Sequence, residues 1–137
     1  DGTTTHRNVA TTISGLTGAT ALSCGPNHCC SILSGGSVKC WGSGGQGQLG
    51  NGDVTNQSTP VSVNSSTGLG SVTKISANGL NTAAITSDGQ LWVWGEGANY
   101  ALGRGQTQAD SSTPLTRGGK WSLVAVGGYG VLVYPAP

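Results

Sequence analysis

Phenylalanine and methionine are missing altogether from this chain, and charge is scarce. Only 8% of the 137 residues are Asp, Glu, Lys or Arg, and the formal net charge is +1. A charge so small and so balanced leaves no basic footprint for nucleic acid and none for an anionic membrane surface. It is also unlike a disordered chain, which is usually highly charged. No apolar run approaches the roughly 20 residues a membrane-spanning helix needs. No window holds a 3.6-residue apolar period over a helical length. Without Met the chain does not begin at an initiator residue, which implies a processed or partial polypeptide. No secretory leader is visible, although a mature secreted chain would have lost one. The 25 glycines fall at turns rather than at every third residue, which excludes a collagen helix.

What is present is a repeat. Trp41-Gly42-Ser43-Gly44-Gly45-Gln46-Gly47-Gln48-Leu49-Gly50-Asn51-Gly52 is answered 53 positions later by Trp94-Gly95-Glu96-Gly97-Ala98-Asn99-Tyr100-Ala101-Leu102-Gly103-Arg104-Gly105. The segment Ala21 to Ile32 lies over Lys74 to Ile85 at the same offset, and Ser58-Thr59-Pro60-Val61 over Ser112-Thr113-Pro114-Leu115 with one residue inserted. Gly2 to Asn8 resembles Gly52 to Ser58, and Lys120 to Gly128 resembles Ser71 to Gly79. The chain therefore reads as the tail of a repeat (1–17), two whole repeats (18–70 and 71–118) and the head of another (119–137), about 2.7 units. Periods of this size belong to architectures in which one unit cannot bury its own apolar faces.

Each unit reads as short strands. Gly35-Gly36 and Asp88-Gly89 are hairpin signals between Cys29–Leu33 and Val38–Trp41, and between Thr82–Thr86 and Gln90–Trp94. Further strands are expected at Thr20–Ser23, Val61–Val63, Thr73–Ala77 and Leu123–Val126. Pro60 and Pro114 cannot donate to a ladder, so each belongs at a strand start or a sheet edge. About four short strands per unit is the size of one propeller blade. The fold class is all-β.

These residues resemble the repeat of the regulator of chromosome condensation family over nearly the whole chain. The first full repeat carries Gly25, His28, Trp41-Gly42, Gln48-Leu49-Gly50-Asn51-Gly52 and Thr59-Pro60-Val61. The second departs at Asn81, in place of His, and at Ala101, in place of Gln. The resemblance implies a β-propeller of antiparallel four-stranded blades, usually seven. It also implies scaffold roles for Trp41, Gly42, Leu49, Gly50, Trp94, Gly95, Leu102 and Gly103, with the tryptophans packed between blades. A chromophore role like that of the plant UV-B receptor relatives needs a denser aromatic array than Trp41, Trp92, Trp94 and Trp121. Nucleotide-exchange activity, known in the family, depends on an insertion outside the repeat consensus, and no such insertion is found here.

Four cysteines lie between positions 24 and 40. An even count in so short a stretch suggests disulfides and an oxidising compartment. Cys30 and Cys40 stand on the two arms of the expected hairpin, where the second repeat has Ala83 and Val93. Secreted members of the family often show Cys at these two positions. The reading favours Cys30 with Cys40 and Cys24 with Cys29, and the other two connectivities stay open. Zinc held by Cys24, His28, Cys29, Cys30 and Cys40 is the competing reading. It suffers because neighbours on a strand, such as Cys29 and Cys30, point to opposite faces. Asn56-Gln57-Ser58 and Asn64-Ser65-Ser66 are glycosylation sequons in Ser/Thr-rich turns.

Nothing assembles into catalytic chemistry. His6 lies in a Thr-rich turn, and His28 occupies a scaffold position as a satisfied structural His. Asp1, Asp53, Asp88, Glu96 and Asp110 form no evident acid–base pair. The Gly-rich loops lack the Gly-Lys-Ser/Thr ending of a phosphate loop. No cofactor is expected, and no nucleic-acid or membrane partner. The first reading is a secreted, non-enzymatic module whose open blade faces self-associate into a multi-chain propeller or a fibre. The alternative is a fragment of a larger propeller that binds a protein partner through its loops. Sugar binding through Trp92, Trp121 or Tyr129 ranks third.

Overall fold

The computed structural model describes residues 1–105, 107–128 and 130–137. Strands β1 (Ala19–Cys24), β2 (His28–Leu33), β3 (Val38–Gly42) and β4 (Gln57–Ser62) form one antiparallel sheet in sequence order. Strands β5 (Val72–Asn78), β6 (Asn81–Thr86), β7 (Leu91–Gly95) and β8 (Ser111–Gly118) repeat it. β9 (Trp121–Val126) and β10 (Val131–Pro135) pair as the start of a third sheet. These are two full blades and half of another. Among the described residues no helix is long and apolar enough to cross a membrane.

Local chemistry sets the blade. Leu33 donates its N–H to Ser37 O at 2.8 Å across the Gly35-Gly36 turn, and Thr86 to Gln90 O at 3.1 Å across Asp88-Gly89. The register follows, with Cys30 opposite Cys40 and Ala83 opposite Val93. Pro60 and Pro114 sit inside β4 and β8 rather than at their starts. Both are edge strands of their sheets, where a missing N–H breaks no ladder.

Packing then stacks the blades. Ile32, Val38, Leu49, Val72, Ala84 and Trp94 meet in the core between blades one and two. Ala83, Ile85, Leu91, Val93, Leu102 and Val126 meet between blade two and the half blade. Covered on both sides, β6 is buried at every residue, whereas β1, at the flank, is exposed at nearly every one. A strand sandwiched by neighbours loses the alternation of a half-buried one.

Two features differ from the sequence reading. β4 begins at Gln57, ahead of the expected Val61. β10 was not expected at all. Residues 1–18 form no strand, and Gly2 only donates its N–H to Ser58 O at 3.2 Å. In the full blades the fourth strand pairs with the third of its own sheet. The 1–17 segment has no third strand ahead of it in this chain.

Candidate functional site

The residues that the repeat singles out converge on the seams between blades. At the first seam Trp94 is fully buried, and its Nε1–H donates to Gln48 O at 3.0 Å. Thr82 donates its hydroxyl to the same carbonyl at 2.8 Å. Having spent its one proton, Thr82 Oγ1 accepts from His28 Nε2–H at 2.8 Å. That fixes the His28 tautomer and leaves Nδ1 unprotonated, buried and without a partner among the described residues. Burial of the ring lowers the His28 pKa from 6.5 to about 4. His28 is therefore only half satisfied, which corrects the expectation of a satisfied structural His. Its counterpart Asn81 donates Nδ2–H to Glu96 O at 2.7 Å.

The loop glycines make room for this seam. Gly50 has φ +69°, and a Cβ there would lie 2.6 Å from Trp94 Nε1. Leu49 and Leu102, the loop leucines, are buried in successive seams. Gly42 and Gly95 both turn the chain out of the third strand at φ near +110°. A Cβ on Gly95 would strike Leu80 O.

Two backbone staples recur at both seams with the same lengths. Ala77 N–H donates to Ser23 Oγ at 2.9 Å, and Val126 N–H to Ser76 Oγ at 2.9 Å. Val72 N–H donates to Gly36 O at 2.9 Å, and Trp121 N–H to Gly89 O at 2.9 Å. Sequence reasoning missed the serines. The signal was there, since Ser23 and Ser76 occupy one slot of the repeat.

The outer flanks are open. Trp41, the counterpart of Trp94, is only half-buried and lines a groove of about 520 Å³ with Asp1, Thr3, Gly42, Asn56 and Gln57. At the second seam, beside the half blade, the loop bearing Tyr100, Leu102 and Gly103 borders a groove of about 370 Å³ with Leu91, Arg117 and Val131. Tyr100 is exposed at φ +62°, where the first repeat has Gly47. Leu123, Leu132 and Tyr134 are exposed on the half blade.

Disulfides join Cys30 to Cys40 and Cys24 to Cys29, each pair with Cα atoms 4.1 Å apart. Cys30 and Cys40 are fully buried and face blade two. No group of three or more His, Cys, Asp or Glu able to hold a metal occurs among the described residues. The carboxylates serve their own turns. Thr55 and the Val54 N–H bond Asp53 and lower its pKa, as the Thr86 hydroxyl and Gln90 do for Asp88. Asp110 Oδ1 accepts Gly97 N–H at 2.8 Å, and Asn56 Oδ1 accepts Gly44 N–H at 3.0 Å in the matching slot. Asn64 caps the short 3-10 turn Ser65–Thr67. Trp92 is 7% exposed, which denies a sugar its ring face, and Trp121 is half-buried. Tyr129 lies outside the described residues.

Comparison with known proteins gives the same architecture. The regulator of chromosome condensation (RCC1) repeat model matches residues 35–85 and 88–134, and a second RCC1 repeat model matches 19–48 and 72–101. The chain is 33% identical over 96 residues to the mitochondrial RCC1 domain-containing protein RUG3 of Arabidopsis thaliana. The match covers 70% of this chain and 21% of that protein. It is 36% identical over 110 residues to the ultraviolet-B receptor UVR8 of the same plant, covering 77% of this chain and 24% of the receptor. Yeast RCC1 (Prp20), solved with Kap60 bound, superposes with a TM-score of 0.76 at 19% identity, over 88% of this chain and 31% of that one. The chain thus spans between a fifth and a quarter of the length of these plant relatives.

Proposed function

The chain belongs to the RCC1 repeat family, and on that footing we propose that it is part of a larger propeller that binds a protein partner through its inter-strand loops. One observation carries the reading. The same Trp slot is fully buried at the internal seam (Trp94) and half-open at the flank (Trp41). A blade built to be gripped by the loop of a preceding blade accounts for that difference. The groove beside Trp41 matches the place where the Gln48–Gly50 loop grips Trp94.

The partner class follows from the scaffold. Blades present turns at both ends of their sheets, and rigid elements that hold exposed turns are a common way to build binding surfaces. Yeast RCC1 is solved with Kap60 bound, and another relative, 35% identical over 80 residues, is named as a GTPase regulator. We read the chain as non-enzymatic, because His28 is buried with its Nε2–H bonded at the seam and Asp53, Asp88 and Asp110 are bonded in their own turns.

Hydroxyl-radical footprinting of the native protein tests the propeller reading. Trp41 is expected to be protected as strongly as Trp94. Rapid oxidation of Trp41 beside a protected Trp94 would sink it. Cross-linking in the same material should join the partner to turn residues such as Lys120, and links confined to strand faces would overturn the partner surface.

A second reading, self-association of secreted copies through open flanks, has the exposed Leu123, Leu132 and Tyr134 in its favour. The two bridges favour an extracellular home. Light scattering decides: a concentration-independent particle of 13.6 kDa removes self-association.

A further inference from the structure

We propose that Asn56, and not Asn64, carries an N-linked oligosaccharide. The case begins with the slot that Asn56 fills. Gly44 N–H donates to its Oδ1, and in blade two Gly97 N–H donates to Asp110 Oδ1. The scaffold uses one side-chain oxygen there and nothing more. Both slots are followed two residues on by serine, Ser58 and Ser112. The two side chains differ only in Nδ2 replacing a carboxylate oxygen, and that nitrogen is what a glycan needs. Asn56 is exposed, and its Nδ2 has no partner among the described residues.

The surroundings of the two slots share a contact and leave both side chains open. At blade two the neighbouring loop closes in on the strand start. Gly52 N–H donates to Ser112 O at 2.8 Å, and a Cβ on Gly47 would lie 2.6 Å from Ser112 Cα. Asp110 itself remains exposed there, so a neighbouring loop on the strand start does not cover this slot. At blade one the Gly2 N–H reaches Ser58 O at 3.2 Å in the same way, and Asn56 is exposed too.

Asn64 is held in the opposite condition. It is half-buried, and its Oδ1 accepts both the Ser66 N–H at 2.9 Å and the Ser66 hydroxyl at 2.6 Å. Its own N–H donates to Gly50 O at 2.8 Å, and its Nδ2 lies against Gly52, where an added Cβ would be 3.5 Å away. Acceptor and hydroxyl of this sequon are engaged with each other inside a turn built from adjacent residues.

The covalent step needs a sugar donor from the secretory pathway, a lipid pyrophosphate-linked oligosaccharide, and its transferase. Asn56 Nδ2 forms a bond to the anomeric carbon as the carbon–oxygen bond to pyrophosphate breaks. The lipid pyrophosphate leaves with the electron pair, and the displaced Nδ2 proton passes to a base of the transferase. The proposal rests on the oxidising passage that the two disulfides favour, and not on partner binding.

The test is to secrete the chain from a eukaryotic host and confirm that no free thiol remains. The glycan is then removed enzymatically in heavy-oxygen water and the peptides are mapped. The Asn56 peptide is expected to return as heavy-labelled Asp, with a matching fall in intact mass. Asn56→Asp should lose the whole of that mass and keep the fold, since Asp110 already clamps Gly97 in the same way. Asn64→Asp should keep the mass. An unmodified Asn56, or label found only at Asn64, overturns the proposal. Failure to find a protein partner would leave this result untouched.

Discussion

His28 is the residue whose chemistry the fold constrains most. Its ring is 2% exposed, donates through Nε2 and leaves Nδ1 bare at the seam. The folded pKa of about 4 lies below the unfolded value near 6.5, so the unfolded chain binds the proton more readily. The stability that neutral His28 provides is complete above about pH 6.5 and is lost as pH falls towards 4, a change of roughly 3 kcal/mol. Urea melts between pH 7 and 4 should show this slope, and His28→Asn, the residue of the second repeat, should flatten it. Gly50 offers a second residue-scale prediction. Gly50→Ala places a methyl on Trp94 and an L-residue at positive φ, and should cost about 2–4 kcal/mol by denaturant midpoint. The sequence marks both positions as scaffold. It does not show that His28 and Thr82, 54 positions apart, are joined by a hydrogen bond.

At the scale of the element, strand pairs and staples fix each blade. The buried Cys30–Cys40 bridge closes a short loop, and its slot holds Ala83 and Val93 in blade two. Replacing it with that pair, Cys30→Ala with Cys40→Val, is expected to lower stability by about 2–3 kcal/mol with unchanged far-ultraviolet dichroism. Ser23→Ala strands the Ala77 N–H between inner strands. It should cost about 1–2 kcal/mol and raise hydrogen exchange at Ala77 specifically. The hairpins were legible because Gly35-Gly36 and Asp88-Gly89 are local signals. β10 was not, although Gly127-Gly128 stands where Asn78-Gly79 turns β5 into β6, because Val131–Pro135 is short and takes its strand geometry from pairing with β9. The start of β4 was misplaced for a similar reason. Its Gln57 is held by Gly42 across the sheet, not by any apolar alternation of its own.

For the whole molecule, the two equivalent tryptophans report how far the stack extends. Trp94→Ala removes a fully buried indole and its bond to Gln48, and should cost about 3–5 kcal/mol. Trp41→Ala in the same 137-residue chain should cost less than half as much, because its groove is open. Thermal melts of the two variants side by side measure the difference, and equal losses would show that something already covers Trp41. The exposed Leu123, Leu132 and Tyr134 mark the opposite flank in the same way. A blade stack has no natural end without another blade or a cover.

The amino-acid order alone determined the repeat, its blade size, its turns and the family. These are written in local spacing: Trp-Gly, Leu-Gly-x-Gly and Thr-Pro recur because each unit must solve the same folding problem. Only the tertiary structure decided which Trp is covered, which sequon amide is free and which histidine nitrogen is left bare. Those properties arise from contacts between units some 50 residues apart. Two copies of one motif carry the same letters whether they lie inside a seam or at an open flank.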